Sequence, residues 1–168
     1  MAANTATIVG PQDGELGFLG SIGVRFLADG EQTGKGFSLV EHPMSPRALA
    51  APLHRHTRED EYSYVLEGRM GALLGEEVVE AGAGALVFKP REQWHTFWNA
   101  GDEPCRVLEI ISPAGFERFF AELAAPGTLA DPDALGSLSE RYGLEMRPES
   151  VTELIERFGL RIGEPLGR

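Results

Sequence analysis

The chain has 168 residues, of which 42% are hydrophobic and 24% are charged. This composition is typical of one compact globular domain and argues against extended disorder. The chain has 15 Lys and Arg residues against 26 Asp and Glu residues, which gives a formal net charge of −11. Nucleic acid and anionic membrane surfaces are therefore disfavoured as partners, because like charges repel.

The cysteine content and the N-terminus indicate the expected compartment. Cys105 is the only cysteine and cannot form an internal disulfide. The segment Met1–Asn4 lacks the cationic start and the apolar stretch of a secretory signal. No window approaches the roughly 18 apolar residues that a membrane span requires. We therefore expect a cytoplasmic protein.

The first two thirds of the chain carry short apolar runs separated by glycine, proline and acidic turns. Such runs predict many short β-strands. The clearest ones cover residues 23–27, 36–40, 62–66, 85–88 and 106–111.

After about residue 112 the hydrophobic period lengthens. Apolar residues at i, i+3, i+4 and i+7 predict one face of a helix, formed by Phe116, Phe119, Phe120 and Leu123. Asp131–Pro132 predicts the start of a second helix, and Ser150 and Glu153 stand at capping-box spacing for a third. The sequence thus predicts strands over residues 1–112 and a helical tail over 113–168 that packs on them within the same domain.

Three of the four histidines and one glutamate form a pattern typical of metal ligands. Alternate side chains of an extended strand share a face and lie roughly 6.6 Å apart. His54 and His56 can therefore reach one ion while Arg55 points away. Glu61 opens the next alternating run and can complete the ligand set from an adjacent strand, and His95 opens a third run.

Other distinctive residues have ordinary structural interpretations. His42, before Pro43, lies outside the metal pattern and is expected to be an exposed or capping residue, with a place in the pocket wall as the alternative. The acidic pair Glu59–Asp60 is expected to form a solvated turn. Cys105 is expected to be a small buried hydrophobic residue.

The spacing of these residues resembles the two sequence motifs of the cupin superfamily. Eight positions match, namely His54, His56, Glu61, Gly68, Gly84, Pro90, His95 and Asn99. Two positions depart from the motifs: Ala48 and Glu92 stand where glycines are expected, so the turn after Pro90 must form without a residue that favours positive φ. The resemblance covers residues 48–99. It implies an all-β fold, a double-stranded β-helix or jelly-roll barrel, here with a C-terminal helical appendage.

The resemblance also implies that one divalent metal ion is bound inside the barrel by His54, His56, Glu61 and His95. Nitrogen and oxygen ligands without a thiolate favour Fe, Mn, Ni, Co or Zn. Three neutral imidazoles and one carboxylate leave a net charge of about +1 around such an ion, which suits an enolate, phenolate or carboxylate ligand. The predicted walls of an apolar substrate pocket are Val65, Phe88, Phe97, Phe116 and Phe120.

The segment Ser112–Glu117 followed by a helical tail resembles, more loosely, the quercetin 2,3-dioxygenase-like proteins. This resemblance implies dioxygenation of a small flavonol-like or enolisable aromatic substrate, with dioxygen as second substrate and Glu61 as catalytic proton acceptor. A redox-neutral isomerase, cyclase or lyase and a non-catalytic small-molecule-binding protein remain alternatives. A homodimer is also compatible with the sequence, because antiparallel sheet edges and an apolar tail need cover.

Overall fold

The computed structural model describes residues 6–166. Residues 1–5, which include the Met1–Asn4 segment considered for a secretory signal, and residues 167–168 lie outside the described part. The strands of the described part, in chain order, are β1 (Leu16–Phe18), β2 (Gly23–Ala28), β3 (Ser38–Met44), β4 (Leu53–His56), β5 (Asp60–Glu67), β6 (Arg69–Leu74), β7 (Glu77–Gly82), β8 (Leu86–Lys89), β9 (His95–Asn99), β10 (Cys105–Ser112) and β11 (Leu144–Arg147). The helices are α1 (Glu117–Leu123), α2 (Pro132–Tyr142), α3 (Ser150–Phe158) and a short 3-10 helix at Thr128–Ala130.

The strands form two antiparallel sheets. One sheet has the order β1-β2-β3-β10-β5-β8, and the other has the order β11-β4-β9-β6-β7. Each apolar run predicted from the sequence lies in or overlaps one of these strands. The predicted jelly-roll class is therefore confirmed, with a C-terminal helical appendage.

Burial alternates along the central strand β10. Cys105, Val107, Glu109 and Ile111 are buried, and the residues between them are partly exposed. Since successive side chains of a strand point to opposite faces, one face of β10 lines the space between the sheets. Glu109 is the charged residue on this otherwise apolar face, where glutamate is rarely found.

The tail contains a strand that the sequence analysis missed. Residues 144–147 were predicted to be helical, but they form β11, which pairs antiparallel with β4 and places Leu144 opposite His56. Strand β11 thereby completes the five-stranded sheet next to the His-x-His segment. Its four residues show too little periodicity for the local sequence to distinguish a strand from a helix.

The predicted helix starts are only partly correct. Asp131 caps α2 as expected, because its side chain accepts hydrogen bonds from the backbone N–H groups of Asp133 and Ala134. Helix α3 begins at Ser150, but no capping box forms there. Instead, the Ser150 hydroxyl donates to the Arg147 carbonyl (2.7 Å) and accepts from the Leu53 N–H (2.9 Å), which ties α3 to β4.

Helix α3 lies on the outside of one sheet, whereas α1 and α2 cover the cavity between the two sheets. Helix α3 covers the outer face of the five-stranded sheet, where Phe158 stacks on Trp98 at a ring-centroid distance of 4.4 Å. Helices α1 and α2 join Val40 and Ile111 of the six-stranded sheet in a second apolar cluster. A third cluster fills the far end of the barrel, away from the helices.

The two departures from the cupin motifs are accommodated by the backbone. Glu92 adopts the positive φ of 67° that the missing glycine would have adopted. This conformation lets the Glu92 N–H donate to the His56 carbonyl at 2.7 Å. Ala48 is fully buried and its carbonyl accepts from the Asn99 N–H at 3.0 Å. Both positions therefore hold the strands that carry the histidines.

Within residues 6–166, the helices are too short or too polar for any of them to cross a lipid bilayer.

Candidate metal centre

The four predicted ligands meet in one buried cluster between the sheets. His54 and His56 come from β4, His95 from β9 and Glu61 from β5. One potential ligand atom from each residue lies within 4.8 Å of the others. All four side chains are buried. The cluster can therefore present four donors to one ion.

Glu61 reaches the cluster by a different route from the one predicted. Strand β5 belongs to the six-stranded sheet, whereas β4 is flanked by β11 and β9 in the other sheet. Glu61 is therefore supplied from across the barrel and not from an adjacent strand. Its Oε2 lies 3.1 Å from His95 Nε2, and its Oε1 lies 3.4 Å from His56 Nε2.

Backbone carbonyls orient two of the imidazoles for metal binding. Nδ1 of His54 lies 2.8 Å from the Pro52 carbonyl, and Nδ1 of His95 lies 2.9 Å from the Gln93 carbonyl. A carbonyl can only accept, so each Nδ1 carries the proton and each Nε2 is left with a lone pair. Burial lowers the pKa of both histidines, and neutral imidazole is the form that binds metal.

His56 supplies the test of whether a metal fits. Among residues 6–166, neither of its ring nitrogens has a hydrogen-bond partner, although both are buried. A buried polar atom without a partner is costly, and an ion at the cluster would satisfy the nitrogen that faces Glu61. The other nitrogen, Nδ1, lies 3.8 Å from Glu59 Oε2. Glu59 is buried and not part of a solvated turn as predicted, and burial raises its pKa.

A lysine and a second glutamate extend the cluster into the six-stranded sheet. Lys89 Nζ lies 3.1 Å from Glu61 Oε2 and 3.0 Å from Glu109 Oε2. The Ser63 hydroxyl donates to the same Glu109 oxygen at 2.8 Å. These side chains lie on neighbouring strands, since Glu61 pairs with Lys89 and Ser63 pairs with Glu109. Sequence reasoning missed this network, although Glu109 interrupts an apolar strand run and could have been noticed for that reason.

Each member of the network titrates differently. Burial would raise the pKa of Glu61, but His56, Lys89 and His95 together hold it well below its usual range. Burial would lower the pKa of Lys89, but the attraction of Glu109 and Glu61 raises it. For Glu109, burial outweighs the attraction of Lys89 and raises the pKa to about 7. One buried cation therefore faces two carboxylates, of which Glu61 is the more strongly ionised.

Lys89 and Glu109 add one positive and one negative charge to the predicted site. With Lys89 charged and Glu109 ionised, a divalent ion among these side chains leaves a net charge of about +1, as expected from the four ligands alone. Protonation of Glu109 would raise this value to about +2. The site therefore favours anions in either state.

A cavity of about 240 Å³ opens above the cluster. Three of the predicted wall residues line it, namely Phe97, Phe116 and Phe120. Phe116 packs edge-on against His56 at 4.3 Å between ring centroids. Further apolar walls come from the tail, with Leu123, Leu129, Leu135, Leu144 and Met146. A flat apolar ligand is thus favoured, with its polar end at the histidines.

Two predicted wall residues do not line the cavity. Val65 shares a face with Glu61 but lies farther along β5, in the apolar cluster at the other end of the barrel. Phe88 alternates with the buried Lys89, so its ring points outward, is 47% exposed and stacks on Tyr62 at 4.8 Å. The assignment of both residues to the pocket is therefore wrong.

His42 lies in the cavity wall, contrary to the expectation of an exposed or capping residue. Its side chain is 2% exposed, and its Nδ1 lies 2.9 Å from the Gly23 carbonyl. The carbonyl fixes the proton on Nδ1, which leaves Nε2 as an acceptor. Burial lowers the pKa of His42 to about 4. His42 is therefore a neutral acceptor on the wall opposite the other histidines.

Cys105 is fully buried as predicted, and burial raises the pKa of its thiol to about 11. A thiol with this pKa is inert.

Comparisons with known proteins agree with this geometry. A family model described as a cupin domain matches residues 41–111. The curated polyketide synthase CurC of Streptomyces cyaneus is 30% identical over 97 residues, which cover 56% of this chain and 63% of that protein. The chain thus matches somewhat less than two thirds of the length of this relative.

Solved structures extend the comparison. The polyketide cyclase RemF of Streptomyces resistomycificus is 30% identical, with a TM-score of 0.56 over 64% of this chain and 80% of that chain. KdgF of Halomonas sp. is 18% identical, with a TM-score of 0.59 over 68% of this chain and 99% of that chain, a likeness of fold alone. The matching family model, the coverage of RemF and the shared barrel together show that this chain belongs to the cupin superfamily.

Proposed function

We propose that this protein is a metal-dependent cyclase that acts on an enolisable, polyketide-like aromatic or pre-aromatic ketone. The observation that carries the proposal is the buried cluster of His54, His56, Glu61 and His95 at the polar end of an otherwise apolar cavity. The 30% identity to RemF, a polyketide cyclase, supports cyclisation over the other redox-neutral reactions.

The residues of the site suit a ketone that ionises. His54, His56, Glu61 and His95 would hold one divalent ion, and such an ion supplies Lewis-acid stabilisation of negative charge on a substrate oxygen. Lys89 keeps Glu61 ionised and in place. The rings of Phe97, Phe116 and Phe120 would confine a flat substrate, and the apolar walls would exclude water.

The dioxygenase reaction expected from the looser resemblance remains a prediction. It uses the same four ligands and differs in its need for dioxygen. Cyclisation of a ketone by aldol condensation releases water and needs no oxidant, so the two reactions separate cleanly by mass and by oxygen consumption.

The test begins with elemental analysis of protein that has been purified without chelator. The loaded protein is then incubated with poly-β-ketones and hydroxylated aromatic ketones, in air and under anaerobic conditions. Cyclase activity is expected to give products that have lost water at equal rates in both atmospheres. Consumption of dioxygen, with oxygen added to the product, would support the dioxygenase instead. Ligand-induced stabilisation without any product would support a binding protein.

A further inference from the structure

Glu109 is a buried carboxylate in the cavity wall that the four-residue cluster does not use. Its Oε2 accepts from the Ser63 hydroxyl and from Lys89 Nζ. Its Oε1 is also buried but has no hydrogen-bond partner among residues 6–166. Buried polar atoms in native proteins are nearly always paired. Because Glu109 lines the cavity, its unpaired oxygen points to a partner supplied by the ligand.

Lys89 links this carboxylate to the cluster. It contacts Glu61 on one side and Glu109 on the other, at 3.1 and 3.0 Å, and its Nζ also lies over the Phe97 ring at 4.6 Å from the centroid. Both oxygens of Glu61 lie close to ligand histidines. Glu61 would therefore bind the metal ion. Glu109 is separated from Glu61 by Lys89 and keeps one unpaired oxygen.

On this basis, and resting on the function proposed above, we propose that Glu109 is a second catalytic residue that exchanges a proton with the substrate through Oε1. An enol or phenol hydroxyl at the polar end of the cavity would donate to this oxygen. The O–H bond breaks, its electron pair stays on the substrate oxygen as an enolate or phenolate, and the proton passes to Glu109. After ring closure, Glu109 returns the proton to the new alkoxide oxygen, so the step consumes no oxidant or reductant.

The raised pKa of Glu109, about 7, agrees with this role, since a general acid–base works best when its pKa lies near the working pH. The ligand class follows from the same geometry. It is a flat hydroxylated ketone whose carbonyl oxygen and hydroxyl are adjacent, so that one faces the histidine cluster and the other faces Glu109.

The decisive variant is Glu109→Gln in the full chain, because glutamine keeps the shape and an acceptor for Ser63 and Lys89 but cannot take up a proton. The matched control is Glu41→Gln. Glu41 is buried on the neighbouring strand β3 but pairs with Arg25 and Arg106 on the outer face of the sheet. We expect turnover of Glu109→Gln to fall by about 100-fold or more, the usual contribution of a general acid–base. Metal content should be unchanged, and Glu41→Gln should keep its turnover.

A second measurement does not depend on turnover. The probe 1-hydroxy-2-acetonaphthone is added to zinc-loaded protein at roughly pH 8.5, where a carboxyl of pKa about 7 is mostly ionised. Difference infrared spectra of the wild type and of Glu41→Gln should gain a carboxylic-acid C=O band as Glu109 takes the probe's proton, because the phenolate left beside Glu109 raises the pKa of this carboxyl above the working pH. Glu109→Gln should not gain this band.

Three results would overturn the proposal. They are turnover of Glu109→Gln within threefold of wild type, loss of metal in parallel with activity, and persistence of the carboxylic-acid band in Glu109→Gln. If no ketone is turned over by the wild type, the proposed cyclase function fails. The infrared result still decides the role of Glu109 in that case.

Discussion

The two sheets that face each other across the cavity hold their polar side chains in different ways. On the five-stranded sheet, backbone carbonyls fix His54 and His95, so each imidazole is oriented by its own local segment. On the six-stranded sheet, Glu61, Lys89 and Glu109 are fixed by one another. The five-stranded sheet presents neutral imidazole nitrogens of fixed orientation. The six-stranded sheet presents charged groups whose positions and ionisation depend on one another. Removal of one residue should therefore have different consequences on the two walls.

The largest effect on stability is expected from Lys89→Met. Within residues 6–166, this change removes the one cation that contacts both Glu61 and Glu109, while it nearly preserves the side-chain volume. Breaking a buried ion pair by removing one partner costs about 3–5 kcal/mol. Urea denaturation should show this loss in the free energy of unfolding. The loss should be larger at pH 8 than at pH 6, because Glu109 can relieve the repulsion by taking a proton. The double variant Lys89→Met, Glu109→Gln should recover part of the stability, and equal stability of single and double variants would contradict a coupled network.

On the histidine wall, His95→Ala should remove metal with little change in the rest of the barrel. Loss of one of four ligands should lower metal affinity by at least about 100-fold, more than the 10–100-fold that partners of metal ligands usually contribute. Elemental analysis and competition with a chelator would measure it. His42→Gln is the matched control, since His42 lines the same cavity but lies outside the cluster. Full metal content in His95→Ala would rule out the proposed ligand set.

The histidines also predict how stability depends on pH. The pKa of His42 is lowered from 6.5 to about 4, so the folded protein keeps His42 neutral while the unfolded chain protonates it below pH 6.5. This residue causes no loss of stability above pH 6.5, and the loss then grows as the pH falls to about 4, where it reaches about 3 kcal/mol. Thermal unfolding in the presence of a chelator should therefore show less pH dependence in His42→Leu than in the wild type over this range. Parallel curves for the two proteins would show that His42 titrates normally.

The smallest effect is expected at the turn that supports the histidine wall. Glu92 has a φ of 67° and is exposed, and a non-glycine residue in this region is strained by about 1–3 kcal/mol. Glycine would relieve the strain but loses about 0.5–1 kcal/mol through its greater freedom in the unfolded chain. We expect Glu92→Gly to stabilise the protein by about 0–2.5 kcal/mol in urea denaturation. Glu76→Gly is the control, because Glu76 is an exposed turn residue without a positive φ. This substitution should lower the free energy of unfolding instead.

The same contrast between the walls explains which site residues could be predicted. His54 and His56 share a face because alternation along a strand is a local property, and the helical spacing of Phe116 and Phe120 placed them correctly on one face of α1. The prediction for Phe88 was wrong because β8 holds none of the four cluster residues. The sequence therefore does not show which of its alternating side chains point into the barrel. His42 was missed because an isolated histidine carries no spacing signal.

The sequence by itself determined the four residues of the candidate metal cluster, the β-rich barrel, the start of the helical tail and the resemblance to cupins, because strand alternation, helix period and motif spacing are all encoded over a few neighbouring residues. Only the tertiary structure decided that Glu61 approaches from the opposite sheet, that β11 joins β4, and that Lys89 bridges Glu61 and Glu109. These arrangements depend on which strands pair across long stretches of chain. Strand pairing is set by the packing of both sheets together, so no local pattern in the sequence reports it.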